Sequence, residues 1–137
     1  MRSRPLCCLL FLLALSAAHP AFAEWEVVLR DRTRAVELDR STVLPSDPGT
    51  KVAWGRIVLT EEEAATSGYA SVKALNRYDC KGRSFYTVKR VYLDADHNVL
   101  RDERVADPRP VPVEAGSVDE RLWLEVCKPP PTMNLKE

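Results

Sequence analysis

The 137-residue sequence is poor in the side chains from which reaction centres are built. It holds two histidines, four cysteines and five scattered glycines. With the first 23 residues set aside as an export leader, a single histidine, His97, and two cysteines, Cys80 and Cys127, remain. Ser-His-Asp catalysis would have to recruit His97, and no nucleophile-elbow pattern accompanies it. There is no Cys-x-x-Cys, no phosphate loop and no dinucleotide-binding glycine pattern, so no cofactor is expected. Net charge is also lacking: 20 basic residues stand against 20 acidic ones. The leader contains two of the basic residues and no acidic one, so the remainder carries about −2, the wrong sign for a dedicated nucleic-acid binder. Beyond the leader no apolar run approaches the length of a transmembrane span.

The leader has the parts of a signal peptide. Arg2 and Arg4 form a basic start, Leu6 to Ala18 is apolar but too short to cross a bilayer, and Ala21-Phe22-Ala23 is a small-x-small cleavage site. Cys7 and Cys8 lie inside the apolar run, not at its far end where a lipid-accepting cysteine would stand, so lipid anchoring is not expected. The expected product is exported, periplasmic or secreted. It is one domain over residues 24–128, followed by a disordered Pro-rich tail over 129–137.

Strand signals dominate the domain. Trp25 to Arg30 and Ala35 to Asp39 read as a hairpin, and Pro45-Ser46-Asp47-Pro48-Gly49 is a turn cluster. Lys51 to Thr60, Ser71 to Cys80, Arg83 to Leu93 and Val99 to Val105 follow as strands, with Lys81-Gly82 as a tight turn between the second and third. Glu61 to Ala65 could form a helical turn capped by Thr60, but its composition favours a solvated loop. Asp107 to Pro112 carries three prolines and must run extended. Ser117-Val118-Asp119-Glu120 is a capping box, and Val118, Leu122 and Val126 recur at helical spacing beside Trp123 and Cys127. A three-turn helix does not persist alone in water, so it must dock on the sheet. The fold class is therefore α+β: one antiparallel sheet of about six strands with a C-terminal helix on one face. In an oxidising compartment Cys80 and Cys127 should form a disulfide pinning that helix, closing a loop of about 48 residues. The strand Lys51 to Leu59 carries apolar residues on both sides, so the face without the helix needs a cover, and a homodimer is the expected one.

Few residues offer chemistry. Asp94, Asp96 and His97 could be read as a metal site, but between two strands they read better as a turn. Glu61 to Glu63, and Asp102 with Glu103, read as solvated charge rather than a catalytic pair, and the chain reads as non-enzymatic. One constellation points to binding. An even-length turn after Cys80 sets Arg77 opposite Tyr86 and Lys73 opposite Arg90, with Tyr92 continuing the row. Lys73, Arg77, Tyr86, Arg90 and Tyr92 would then form a basic–aromatic face able to take an acidic protein segment or a sulfated polysaccharide. The bland reading, a solvated sheet face kept soluble by long basic side chains, stands beside it.

An ordered set of short motifs carries a resemblance. Trp25 leads the first strand; Val36-Glu37-Leu38-Asp39-Arg40-Ser41-Thr42-Val43 follows, then Val52-Ala53-Trp54, then Ser71-Val72-Lys73-Ala74-Leu75 leading to Tyr78-Asp79-Cys80. Arg83, Tyr86, Tyr92, Ala115-Gly116-Ser117 and Val126-Cys127 complete it. The chain resembles the bacterial surface-adhesin protein E family over about residues 25 to 128. The resemblance implies a six-stranded antiparallel sheet, a C-terminal helix tied to its concave face by Cys80 and Cys127, and homodimerisation. It also implies binding of extracellular proteins, since the family's named member is an outer-membrane adhesin for laminin, vitronectin and plasminogen. That member is lipid-anchored, whereas this leader ends at Ala-Phe-Ala; a periplasmic structural or assembly partner without adhesin activity is the alternative role.

Overall fold

The computed structural model describes residues 22–129. All but the last two residues of the expected leader, and residues 130–137 of the expected tail, lie outside them.

Runs of β-branched and aromatic residues become eight strands of one antiparallel sheet. They are β1 (Trp25–Arg30), β2 (Arg34–Asp39), β3 (Leu44–Pro45), β4 (Thr50–Leu59), β5 (Ser71–Asp79), β6 (Ser84–Leu93), β7 (Val99–Arg104) and β8 (Val111–Pro112). Six of them form the ordered path β1-β2-β4-β5-β6-β7. The two short strands, which the sequence did not announce, extend existing lines. After a 3-10 turn at Arg40–Thr42, β3 pairs with β4 beyond the stretch that β2 occupies, Leu44 facing Val52. Likewise β8 pairs with the start of β6, Val111 facing Phe85, while β7 takes the rest. The proline-rich segment thus ends as a scrap of edge strand, where a missing N–H is tolerated.

The segment expected as a loop after β4 is a helix, α1 (Glu61–Ser67). The Thr60 side chain accepts the Glu63 N–H, three glutamates occupy the first turn, and Gly68 ends the helix with φ +81°. Capping and dipole complementarity outweighed the loop-like composition. The second helix, α2 (Val118–Cys127), stands where its periodicity placed it, with Ser117 as N-cap accepting the Glu120 N–H at 3.0 Å.

α2 supplies Leu122, Trp123 and Val126 to a core completed by Val36, Leu38, Ala53, Tyr78, Phe85 and Val113. Burying three side chains of this size contributes about 1.5–3 kcal/mol each. Gly55 lies beneath the helix, where a Cβ would be in ordinary contact with Leu122 at 3.6 Å. Trp123 Nε1 donates to the Asp79 carbonyl at 2.9 Å, the Arg83 guanidinium stacks on the Trp123 ring, and Cys80 is disulfide-bonded to Cys127. Lys51 Nζ donates to the Val126 carbonyl at 3.2 Å, where the helix dipole is negative. Among the described residues no helix is long and apolar enough to cross a membrane.

Candidate binding cleft

The β5–β6 hairpin decides where the expected basic–aromatic residues stand. Its loop is four residues, Cys80 to Arg83, not two; Asp79 Oδ1 accepts the backbone N–H groups of Lys81 and Gly82, and Arg83 takes φ +48°. The length is still even, so Arg77 faces Tyr86 as expected. The expected register then fails. Asn76 faces Thr87 but Leu75 faces Lys89, leaving Val88 as the extra residue of a β-bulge. Beyond it Lys73 faces Val91 instead of Arg90, Arg90 faces Ala74, and Tyr92 faces Val72. One inserted residue moves every later side chain to the other face of a period-2 strand. Lys73, Arg77 and Tyr86 therefore share the outer face, while Arg90 and Tyr92 stand on the face that carries α2.

On the outer face the cations are largely engaged within the molecule. Arg77 pairs with Asp47, and its guanidinium lies 5.9 Å from the Tyr86 ring centre. Arg56 pairs with Glu37 at 2.5 Å and stacks over Trp25 at 4.2 Å, and Lys89 pairs with Asp102 at 3.1 Å. Trp54 and Leu75 lie between them, half-buried. This surface offers apolar area and aromatic edges more than free positive charge.

The helix-bearing face is different. α2 packs chiefly along β1, β4 and β5. A cleft of about 290 Å³ is bounded by the first turn of α2 and by strands β4 to β6. Its floor is made of small and aliphatic residues, Gly55, Ile57, Val72 and Ala74. Asn76 and Thr87 stand at its inner end: Thr87 Oγ1 donates to Asn76 Oδ1 at 2.8 Å, and Asn76 Nδ2 donates to the Tyr78 hydroxyl at 3.1 Å. Burial pushes the Tyr78 phenol up to about 12. Tyr92 forms the side wall, in edge-to-face contact with Tyr69 at 5.0 Å and covered by the Arg101 guanidinium at 4.0 Å. Arg90 and Asp119 line the cleft from β6 and α2. Arg101 pairs with Glu103 at 2.6 Å, although Glu103 faces Arg90 across the ladder, and Arg90 has no ion pair among the described residues. Burial raises the Asp119 carboxyl above its usual range, against a smaller lowering by Arg34.

Two of the five expected site residues thus line this cleft, and three do not. Asn76, Thr87 and Asp119 were not anticipated. Asn76 left a signal: it is the polar interruption in the otherwise apolar row Val72, Ala74, Asn76, Tyr78. The Asp94 to Asn98 segment is a turn. Asp94 Oδ1 accepts the N–H groups of Asp96 and Asn98, its Oδ2 accepts from the Asn98 side chain, and His97 sits at φ +64°. These bonds, the Asn98 backbone one foremost, hold the Asp94 carboxyl below its usual range.

Comparison with known proteins gives one family. The sequence model for surface-adhesin protein E matches residues 25–128, the span from the first residue of β1 to the residue after α2. No curated protein matches the chain.

Proposed function

The chain belongs to the surface-adhesin protein E family, and on that premise we propose that it is an exported, non-enzymatic module that binds an extracellular protein. The observation that carries this reading is the extent of the match, which takes in every strand, both helices and the disulfide pair. The architecture supports it. A sheet fastened to its helix by a covalent bond suits an oxidising compartment. A homodimer joined through the outer face belongs to the same proposal, because Trp54 and Leu75 there are only half-buried in the single chain. The acidic-polysaccharide ligand is the weaker version of the proposal, because three of the outer-face cations, Arg56, Arg77 and Lys89, already hold carboxylate partners.

A second reading is supported by the Ala21-Phe22-Ala23 leader end: an envelope structural or assembly partner held in the periplasm. Protease treatment of intact cells, followed by fractionation, separates the two. Digestion of the protein on intact cells, with binding of the purified domain to immobilised extracellular proteins, is the expected result. Full protection until the outer membrane is opened, together with a co-purifying envelope protein, would overturn it in favour of the periplasmic role.

A further inference from the structure

The inference concerns the cleft on the helix-bearing face and rests on the binding role proposed above. Its geometry is that of a socket for one side chain. At about 290 Å³ it lies at the lower edge of the range for whole small-molecule ligands, about 300–1,000 Å³. Its floor is flat because Gly55 and Ala74 face each other across β4 and β5. One wall is an aromatic ring already fixed in place, Tyr92 held by Tyr69 and Arg101.

The polar groups are unequal in a telling way. Asn76 and Thr87 bond each other, and Asn76 also bonds Tyr78, so these groups are occupied within the fold. Asp119 has a local reason to be where it is, since an acidic residue in the first turn complements the helix dipole. Arg90 has no such reason. It is half-buried, its cross-strand neighbour Glu103 is taken by Arg101, and its five donors meet no carboxylate among the described residues. A half-desolvated guanidinium beside an aromatic ring favours a planar carboxylate that it can grip with two parallel hydrogen bonds.

We infer that this cleft is an anchor site for the carboxylate side chain of a partner protein's exposed acidic residue, gripped by Arg90 and flanked by Tyr92. Asp119 works against the same ligand, being a second negative group lining the same cleft. The two residues therefore carry opposite signs in one experiment.

The probe is the blocked peptide acetyl-Gly-Glu-Gly-amide, titrated into the isotope-labelled protein and followed by backbone and side-chain NMR. Its neutral isostere acetyl-Gly-Gln-Gly-amide and free glucuronate serve as comparisons. A single anchor gives weak binding, so saturation is expected in the millimolar range, about 4 kcal/mol at 1 mM. Shifts should centre on Asn76, Thr87, Arg90 and Tyr92. Arg90→Gln should abolish them, the Gln peptide should give none, and Asp119→Asn should tighten binding, as expected for removing a like charge that lines the same cleft. Binding of the Gln peptide as strong as the Glu peptide, retention of binding in Arg90→Gln, weakening in Asp119→Asn, or no saturable shift would each overturn the inference. Glucuronate binding more tightly than the peptide would overturn the protein source in favour of an acidic sugar. Failure here is distinct from failure of the binding role: a chain that still binds extracellular protein when Arg90 is Gln keeps the role and loses this site.

Discussion

At the scale of single residues, Arg40 joins three parts of the chain that are distant in sequence. It sits on the 3-10 turn, which the buried Asp39 caps by accepting from the Ser41 N–H and hydroxyl and from the Glu24 N–H. Its Nε and Nη2 grip the two oxygens of Glu26 on β1 at 2.7 and 3.1 Å. Its Nη2 also pairs with the Glu125 carboxylate, and its Nη1 donates to the Glu125 carbonyl at 3.1 Å near the end of α2. The carboxyls answer in their acidity. Glu125 is held below its usual range by Lys128 first and Arg40 second, and Glu26 is lowered by Arg40. A carboxyl lowered on folding stabilises the native state above the unfolded-chain value, 4.5 for glutamate, and that stabilisation is lost as pH falls through the lower folded value. Asp119, raised by burial, acts in the opposite sense over the same acid range. Arg40→Ala should therefore destabilise the protein at neutral pH, chiefly through loss of its contacts with Glu125. Its cost should shrink at acid pH, as the carboxylates of the folded state take up protons below 4.5. Urea denaturation at neutral and at acid pH checks this, and a cost independent of pH would mean that Arg40 acts by packing alone.

At the scale of elements, α1 offers a clean conformational test. Gly68 closes it in the left-handed region, its N–H bonded to the Ala64 carbonyl at 3.1 Å. A Cβ added there would meet nothing within 4 Å. Gly68→Ala should thus destabilise by backbone strain alone, about 1 kcal/mol, with amide exchange accelerated across Glu61–Ser67. A neutral or stabilising effect would show that the helix end relaxes freely. This helix also marks a limit of reading the sequence. The capping signal at Thr60 and Glu63 was visible, but seven residues hold too little periodicity to outweigh a composition typical of loops. Long, strongly patterned elements were legible: the strands over Lys51–Thr60 and Ser71–Cys80, and the capped helix from Ser117 to Cys127. The bulge at Val88 was not, because Arg83 to Leu93 is β-favouring throughout and no glycine or proline marks the extra residue. That single illegible insertion explains why Arg77 and Tyr86 were placed correctly while Arg90 and Tyr92 were assigned to the wrong face. Strands as short as β3 and β8 exist only because a longer neighbour has an unpaired stretch to offer, which local sequence does not encode.

At the scale of the whole molecule, the disulfide closes the topology. Cys80 and Cys127 are 47 residues apart, and the chain between them contains β6, β7, β8 and most of α2. Joining its ends removes loop entropy from the unfolded state, about 4 kcal/mol for a loop of this length. Other contacts also hold α2 in place. Leu122, Trp123 and Val126 are buried, Arg83 pairs with Glu120 at 2.8 Å, and Arg40 and Lys51 hold the other end of the helix. The double variant Cys80→Ala, Cys127→Ala should therefore keep the near-ultraviolet dichroism of the packed Trp123 at low temperature while melting about 20 °C lower, taking about 5 °C per kcal/mol for a domain of this size. Losing the signal altogether would show that α2 docks only when tethered, making the bond a condition of the fold and the binding cleft beside α2 dependent on oxidation. A fall in melting temperature of only a few degrees would mean that the unfolded chain already keeps the two cysteine segments near each other. In that case the order of assembly is fixed by the hairpin and helix before the bond forms, and the same cleft would be present in the reduced protein.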